Sequence, residues 1–123
     1  MEIPYDIQER SFVFACRIID FCRMLLRADP VTRRLSWQLL DSGTSIGANL
    51  EEANAGQTKP DFIAKASIAR KESAESKYWL RLIAYAEPRM RRETLPLLDE
   101  SGQLARIVTT IVKNAQSNPY RGK

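Results

Sequence analysis

The chain has 123 residues, 44% of them hydrophobic and 28% charged, with 19 Lys/Arg against 15 Asp/Glu, a net charge of +4 and a pI near 9.3. That size suits one domain over 1–123, and the apolar content excludes wholesale disorder. No apolar run approaches the roughly 18 residues of a membrane span, and the acidic start at Glu2 and Asp6 lacks the basic-then-apolar order of a secretion signal, so a soluble, cytoplasmic protein is expected.

A first helix is predicted over about 7–28, with Asp6 as N-cap and Glu9 three residues on, the capping-box spacing. Its apolar positions form two stripes: Phe12, Ala15, Ile19, Cys22 and Leu26, then Phe14, Ile18, Phe21 and Leu25. Cys16 and Cys22 are rotated too far apart for a disulfide within this helix, and a chain without histidine offers them no common zinc site. Both read as reduced core residues of an intracellular protein.

Asp29-Pro30 closes the first helix and opens a second over about 31–55, with Pro30 at the first helical position. Leu35, Leu39, Ile46, Leu50 and Ala53 form its inward stripe. Gly43 and Gly47 each cost up to about 1 kcal/mol in mid-helix, a placement that close approach of another helix would justify. Gly56 stops this helix, and Thr58 or Lys59 begins a third over about 60–86. Pro88 interrupts it, Arg89, Arg91 and Arg92 form a basic connector, and a fourth helix is predicted over about 95–116. Its core side is Leu97, Leu98, Leu104, Ile107, Val108, Ile111 and Val112, with Ser101-Gly102 weakening its first turns. The tail 118–123 is expected to fray. Long helices joined by short turns predict an all-α, antiparallel up-down-up-down four-helix bundle.

The third helix carries the least ordinary pattern. Phe62, Ala69, Ser73, Ser76, Leu80 and Ile83 line one small and apolar stripe, yet Glu72 falls within that half and Glu75 at its edge. A carboxylate facing a core costs several kcal/mol unless partnered. Asn49 and Glu52 share one flank of the second helix, so antiparallel packing would let the two strips meet. Asn49, Glu52, Glu72 and Glu75 are therefore expected to form a structural polar network that fixes register. The alternatives are a partner-binding cleft or an all-carboxylate metal or acid-base site. Metal ligation is disfavoured because bundle di-metal sites use Glu-x-x-His motifs. No catalytic residue, metal or cofactor is assigned: neither cysteine has a histidine to activate it, and no Gly-x-Ser-x-Gly elbow or phosphate loop occurs.

From Lys59 to Arg92 there are nine Lys/Arg against four acids. Lys59, Arg70, Lys77 and Arg81 share one side of the third helix and, with Arg89, Arg91 and Arg92, are the candidate nucleic-acid-binding residues. No aromatic is interleaved, so any binding is expected to be weakly sequence-selective. Trp37, Leu40, Thr44 and Gly47 fall on the outer side of the second helix. Together with the Phe14 stripe they leave more apolar surface than one core can use, which makes them a candidate oligomer interface, with packing inside the subunit as the alternative.

Ser45-Ile46-Gly47-Ala48-Asn49-Leu50-Glu51-Glu52-Ala53, Asp61-Phe62, and Ile68-Ala69 with Glu72, Glu75 and Trp79-Leu80 resemble the bacterial four-helix-bundle proteins called intervening-sequence proteins, some of which are encoded within 23S rRNA genes. The matching pattern has Gly47 where proline is common, Ala53 where glycine is, and Glu72 where a small residue is usual. The resemblance is clearest over about 35–85 and implies an antiparallel bundle assembling into a ring, often a pentamer, with no established enzymatic activity. A more distant likeness is to the accessory proteins of diversity-generating retroelements, which bind nucleic acid and a protein partner. The resulting expectation is a non-enzymatic homo-oligomer associated with RNA or other nucleic acid. The alternatives are an adaptor ring for an element-encoded protein and a carboxylate metalloenzyme.

Overall fold

The structure, a computed structural model, describes residues 1–118. It holds four helices, α1 (Tyr5–Met24), α2 (Pro30–Ala55), α3 (Lys59–Ala86) and α4 (Arg91–Ser117), with short 3-10 turns at Leu25–Arg27 and Pro88–Met90. Each helix packs on its neighbours in chain order and α4 closes back on α1, while the Cα atoms of the diagonal pairs stay more than 8 Å apart among the described residues. Cross-helix contacts run in opposite chain directions. Ile3 meets Asn54 while Cys22 meets Ser36, and Ser42 meets Ser76 while Glu52 meets Lys65. These are the neighbour relations of an up-down-up-down bundle.

Local chemistry sets most helix ends. Asp29 caps α2 as expected: its Oδ1 accepts from the backbone N–H of Val31 and Thr32 at 3.0 and 3.1 Å, with Pro30 at the first helical position. Thr58 caps α3 by accepting from the Asp61 N–H at 3.2 Å. Asp6 does not cap α1. The helix starts earlier because the carbonyl of extended Pro4 accepts from Ile7 and Gln8, leaving Asp6 in the first turn. Likewise α4 begins at Arg91 rather than near residue 95, entered through the Pro88–Met90 turn and carrying Pro96 inside it. Ser101 and Gly102 do not delay it, because both lie on its buried side. Among the tail residues, 119–123 lie outside those described.

The core contains Leu39, Ile46, Leu50 and Ala53 of α2, with Leu35 half-buried beside them. The whole predicted stripe of α3 is buried, Phe62 to Ile83. On α4, Leu97, Leu104, Val108 and Val112 are buried, and Leu98, Ile107 and Ile111 pack partly against them. Burying each large aliphatic or aromatic side chain contributes about 1.5–3 kcal/mol.

On α1 the roles of the two stripes are reversed from expectation. Phe14, Ile18, Phe21 and Leu25 face the bundle axis, whereas Phe12, Ile19 and Leu26 are exposed. The glycines of α2 explain the choice: a Cβ on Gly43 would sit 2.9 Å from Ile18 Cγ1, so this glycine is the space into which Ile18 packs. Gly47 lies against Ser11 and the backbone of Phe12. Cys22 is buried and donates to the Ser36 carbonyl at 3.3 Å, but Cys16 is exposed, correcting its assignment to the core. Both thiols are free.

Candidate functional site

The Glu72 region sits on the α2–α3 seam, the most extensive helix contact in the bundle. Small side chains allow that closeness: Ala66, Ala69, Ser73 and Ser76 are all buried on α3. Their polar atoms are satisfied locally, Ser73 donating to the Ala69 carbonyl at 2.9 Å and Ser76 donating to Ser42 Oγ at 2.9 Å. Ser42 in turn donates to the Leu39 carbonyl. The buried polar link between α2 and α3 is thus a hydroxyl pair.

Glu72 is half-buried and Glu75 exposed, so neither faces the core as the helical wheel suggested. The helix turns its serines inward and leaves the longer carboxylates at the rim, where water reaches them. Partial burial raises the Glu72 pKa, and repulsion from Glu75 and from Asp41 of α2 adds to the rise. Asn49 donates to the Ser45 carbonyl of its own helix, and Glu52 pairs with Lys65 at 2.7 Å. Of the four candidates, Glu72 and Glu75 interact with each other on α3, Glu52 reaches α3 through Lys65, and Asn49 bonds within its own helix. Among the described residues no set of three or more Cys, Asp and Glu is arranged to hold a metal ion.

Of the candidate cations, Lys77, Arg81, Arg89, Arg91 and Arg92 are exposed, while Lys59 and Arg70 are half-buried. Lys59 donates to the Asn118 carbonyl at 2.7 Å, and Arg89 pairs with Glu87 at 3.2 Å. Among the described residues no carboxylate is within ion-pair distance of Lys77, Arg81, Arg91 or Arg92. Their charge is left facing water.

The candidate interface residues divide. Trp37 is 62% exposed and lines a shallow apolar groove with Ile19, Leu26, Leu40 and Thr44. Leu40 packs partly against the core of the chain, and Gly47 lies against α1. Phe12, 59% exposed, extends the outer apolar face of α1. Sequence reasoning missed this outer stripe because two apolar stripes on one helix give no internal sign of which one the bundle will claim.

No described helix is long and apolar enough to cross a membrane. A family model described as 23S rRNA-intervening sequence protein matches residues 4–113. It includes α1 and nearly all of α4, well beyond the segment in which the resemblance is clearest by eye. Among solved structures, the chain is similar to a protein of unknown function from the S23 ribosomal protein family of Bacteroides thetaiotaomicron. The two share 36% identity over 87% of this chain and 98% of that one, with a TM-score of 0.79. No curated protein matches the chain. The match over nearly its full length, together with the four-helix bundle, places this chain in the 23S rRNA-intervening sequence protein family.

Proposed function

We propose that the protein is a non-enzymatic homo-oligomeric bundle that associates with RNA through its basic face. The observation that carries this reading is the set of exposed, unpaired cations Lys77, Arg81, Arg91 and Arg92 running from α3 onto α4. Phosphate backbones are the polyanions such a surface suits, and counterion release makes the binding salt-dependent. The family's link to 23S rRNA favours RNA over DNA.

A structural role for the polar side chains supports the non-enzymatic half. Burial pushes the Cys22 thiol up to about 11, the opposite of an activated nucleophile. Self-association is supported by the groove around Trp37, where an aromatic anchor sits within an apolar surface. The same groove favours one second reading, an adaptor that presents it to a different protein.

Fluorescence titration with a labelled single-stranded RNA tests the first reading. Binding that weakens with salt and with Arg70→Glu combined with Arg81→Glu is expected, and no binding at low salt overturns it. Light scattering tests assembly. Trp37→Glu should reduce the particle mass, whereas a monomeric wild-type particle leaves the groove to a different partner.

A further inference from the structure

Both turns at one end of the bundle are rich in arginine, and the fold sets them side by side. The turn joining α1 to α2 and the turn joining α3 to α4 share one shallow cleft, lined by Arg27, Ala28 and Asp29 from the first and Glu87, Arg89 and Met90 from the second. Around it stand Arg23, Arg27, Arg33 and Arg34 on one side and Arg89, Arg91 and Arg92 on the other, all exposed. We propose that this arginine end is the principal RNA-contacting surface, gripping the phosphate backbone across the two turns. The inference rests on the RNA reading above and relocates its centre from the flank of α3 to the end of the bundle.

Three observations carry it. First, no lysine lies in 20–36 or 81–96, the segments that build this end. Guanidinium forks match phosphate oxygens in pairs, which an ammonium does not. Second, the four acids in these segments, Asp20, Asp29, Glu87 and Glu93, make only two ion pairs with the arginines among the described residues, and Glu93 is half-buried in the first turn of α4. Asp29 is held by its own helix N-terminus and the Thr32 hydroxyl, and Glu87 engages Arg89 alone. Asp20 stands 3.8 Å from Arg23 with both side chains more than 70% exposed, a weak contact in water. Third, helix stability accounts for Arg23 and Arg27, at the end of α1 and of the 3-10 turn after it, but not for the arginines at the helix starts, Arg33, Arg34, Arg91 and Arg92. Arg91 and Arg92 open α4 at its positive end, and α2 has no acid in its first turn.

The opposite end mixes both signs, with Lys113 exposed near the end of α4. Glu2, Asp6, Glu51, Glu52 and Asp61 gather there, while Lys59 and Lys65 are engaged with a carbonyl and a carboxylate. With most of its cations engaged or matched by acids, that end attracts a polyanion less than the arginine end does. On the α3 flank, by contrast, Lys59 and Arg81 are about 33 Å apart, and Arg70 between them is half-buried.

The test compares two triple variants that remove the same charge. One is Arg27→Gln, Arg34→Gln and Arg92→Gln at the arginine end. The other is Lys71→Gln, Arg106→Gln and Lys113→Gln, at exposed positions elsewhere. Titration uses a labelled single-stranded RNA of mixed sequence over a range of salt. The first variant should bind about tenfold more weakly or worse, with a log–log salt slope shallower by about 2, and the second should stay near wild type. Equal losses in both would overturn the inference while leaving RNA binding standing. Failure of the wild-type protein to bind at low salt would overturn both.

Discussion

Ser76 of α3 donates to Ser42 of α2 across 2.9 Å, both side chains sealed from water in the tightest seam of the bundle. Larger residues at either position would hold the two helices apart. The pair combines close packing with mutual satisfaction of two buried hydroxyls. Ser42→Ala removes the acceptor and leaves Ser76 Oγ without it, so a loss of about 1 kcal/mol is expected by urea denaturation. The double alanine variant should lose less than the sum of the single variants. Additive losses would show that the two hydroxyls are energetically independent.

The two mid-helix glycines of α2 should respond oppositely to alanine. At Gly43 the new Cβ would lie 2.9 Å from Cγ1 of Ile18, a fully buried side chain with no free end to move. Gly43→Ala should cost about 1–3 kcal/mol despite its better helix propensity. At Gly47 the nearest atom would be Ser11 Cβ at 3.4 Å, an ordinary contact. Gly47→Ala should therefore be neutral or stabilise by up to about 1 kcal/mol. Thermal melting of both variants decides the matter, and equal destabilisation would contradict the packing described.

Ser11 is fully buried on α1, and its Oγ has no hydrogen-bond partner among the described residues. An unsatisfied buried hydroxyl is a cost that alanine removes while filling nearly the same volume. Ser11→Ala should raise the unfolding midpoint, by about 1 kcal/mol of stability. A clear loss instead would reveal a hydrogen bond made by that hydroxyl in solution.

Glu72 has a folded-state pKa raised above its ordinary 4.5, first by partial burial and then by Glu75. The folded chain therefore holds this proton more tightly than the unfolded chain. Stability falls as pH rises from the ordinary carboxylate range through the raised value, and the penalty is fully present above it. Glu72→Gln should stabilise by about 0.2–0.5 kcal/mol at pH 7, the scale of one like-charge helix pair. That advantage should shrink as pH falls through the raised value and be lost below the ordinary 4.5. A difference between variant and wild type that does not change with pH would contradict the assignment.

How much of the bundle was legible in the chain depends on whether a signal is local. The Asp29-Pro30 cap could be read directly, because it needs only its own N–H groups and a preset φ. The buried stripe of α3 could be read too, since every position recurs at the helical period. Asp6 misled because Pro4 upstream offers its carbonyl to the first turn, and no rule about the acid itself detects that competitor.

The surroundings of the candidate residues were not legible in the chain. Charge counting along 59–92 singled out a stretch with nine cations against four acids. It did not reveal that Lys59 would be drawn to the Asn118 carbonyl, or that Arg27 and Arg89 would share a cleft. Those residues are far apart in the chain, and only the pairing of two turns at one end brings them together.

The amino-acid order alone determined four amphipathic helices, their punctuation and the family pattern, because periodicity and capping act over a few residues. Tertiary packing decided which face of α1 turned inward, which serines met and where the arginines converged. Each of those outcomes depends on the shape of a neighbouring helix. Gly43 shows the division: its cost to α2 is visible in the sequence, but the Ile18 side chain that repays it comes from α1.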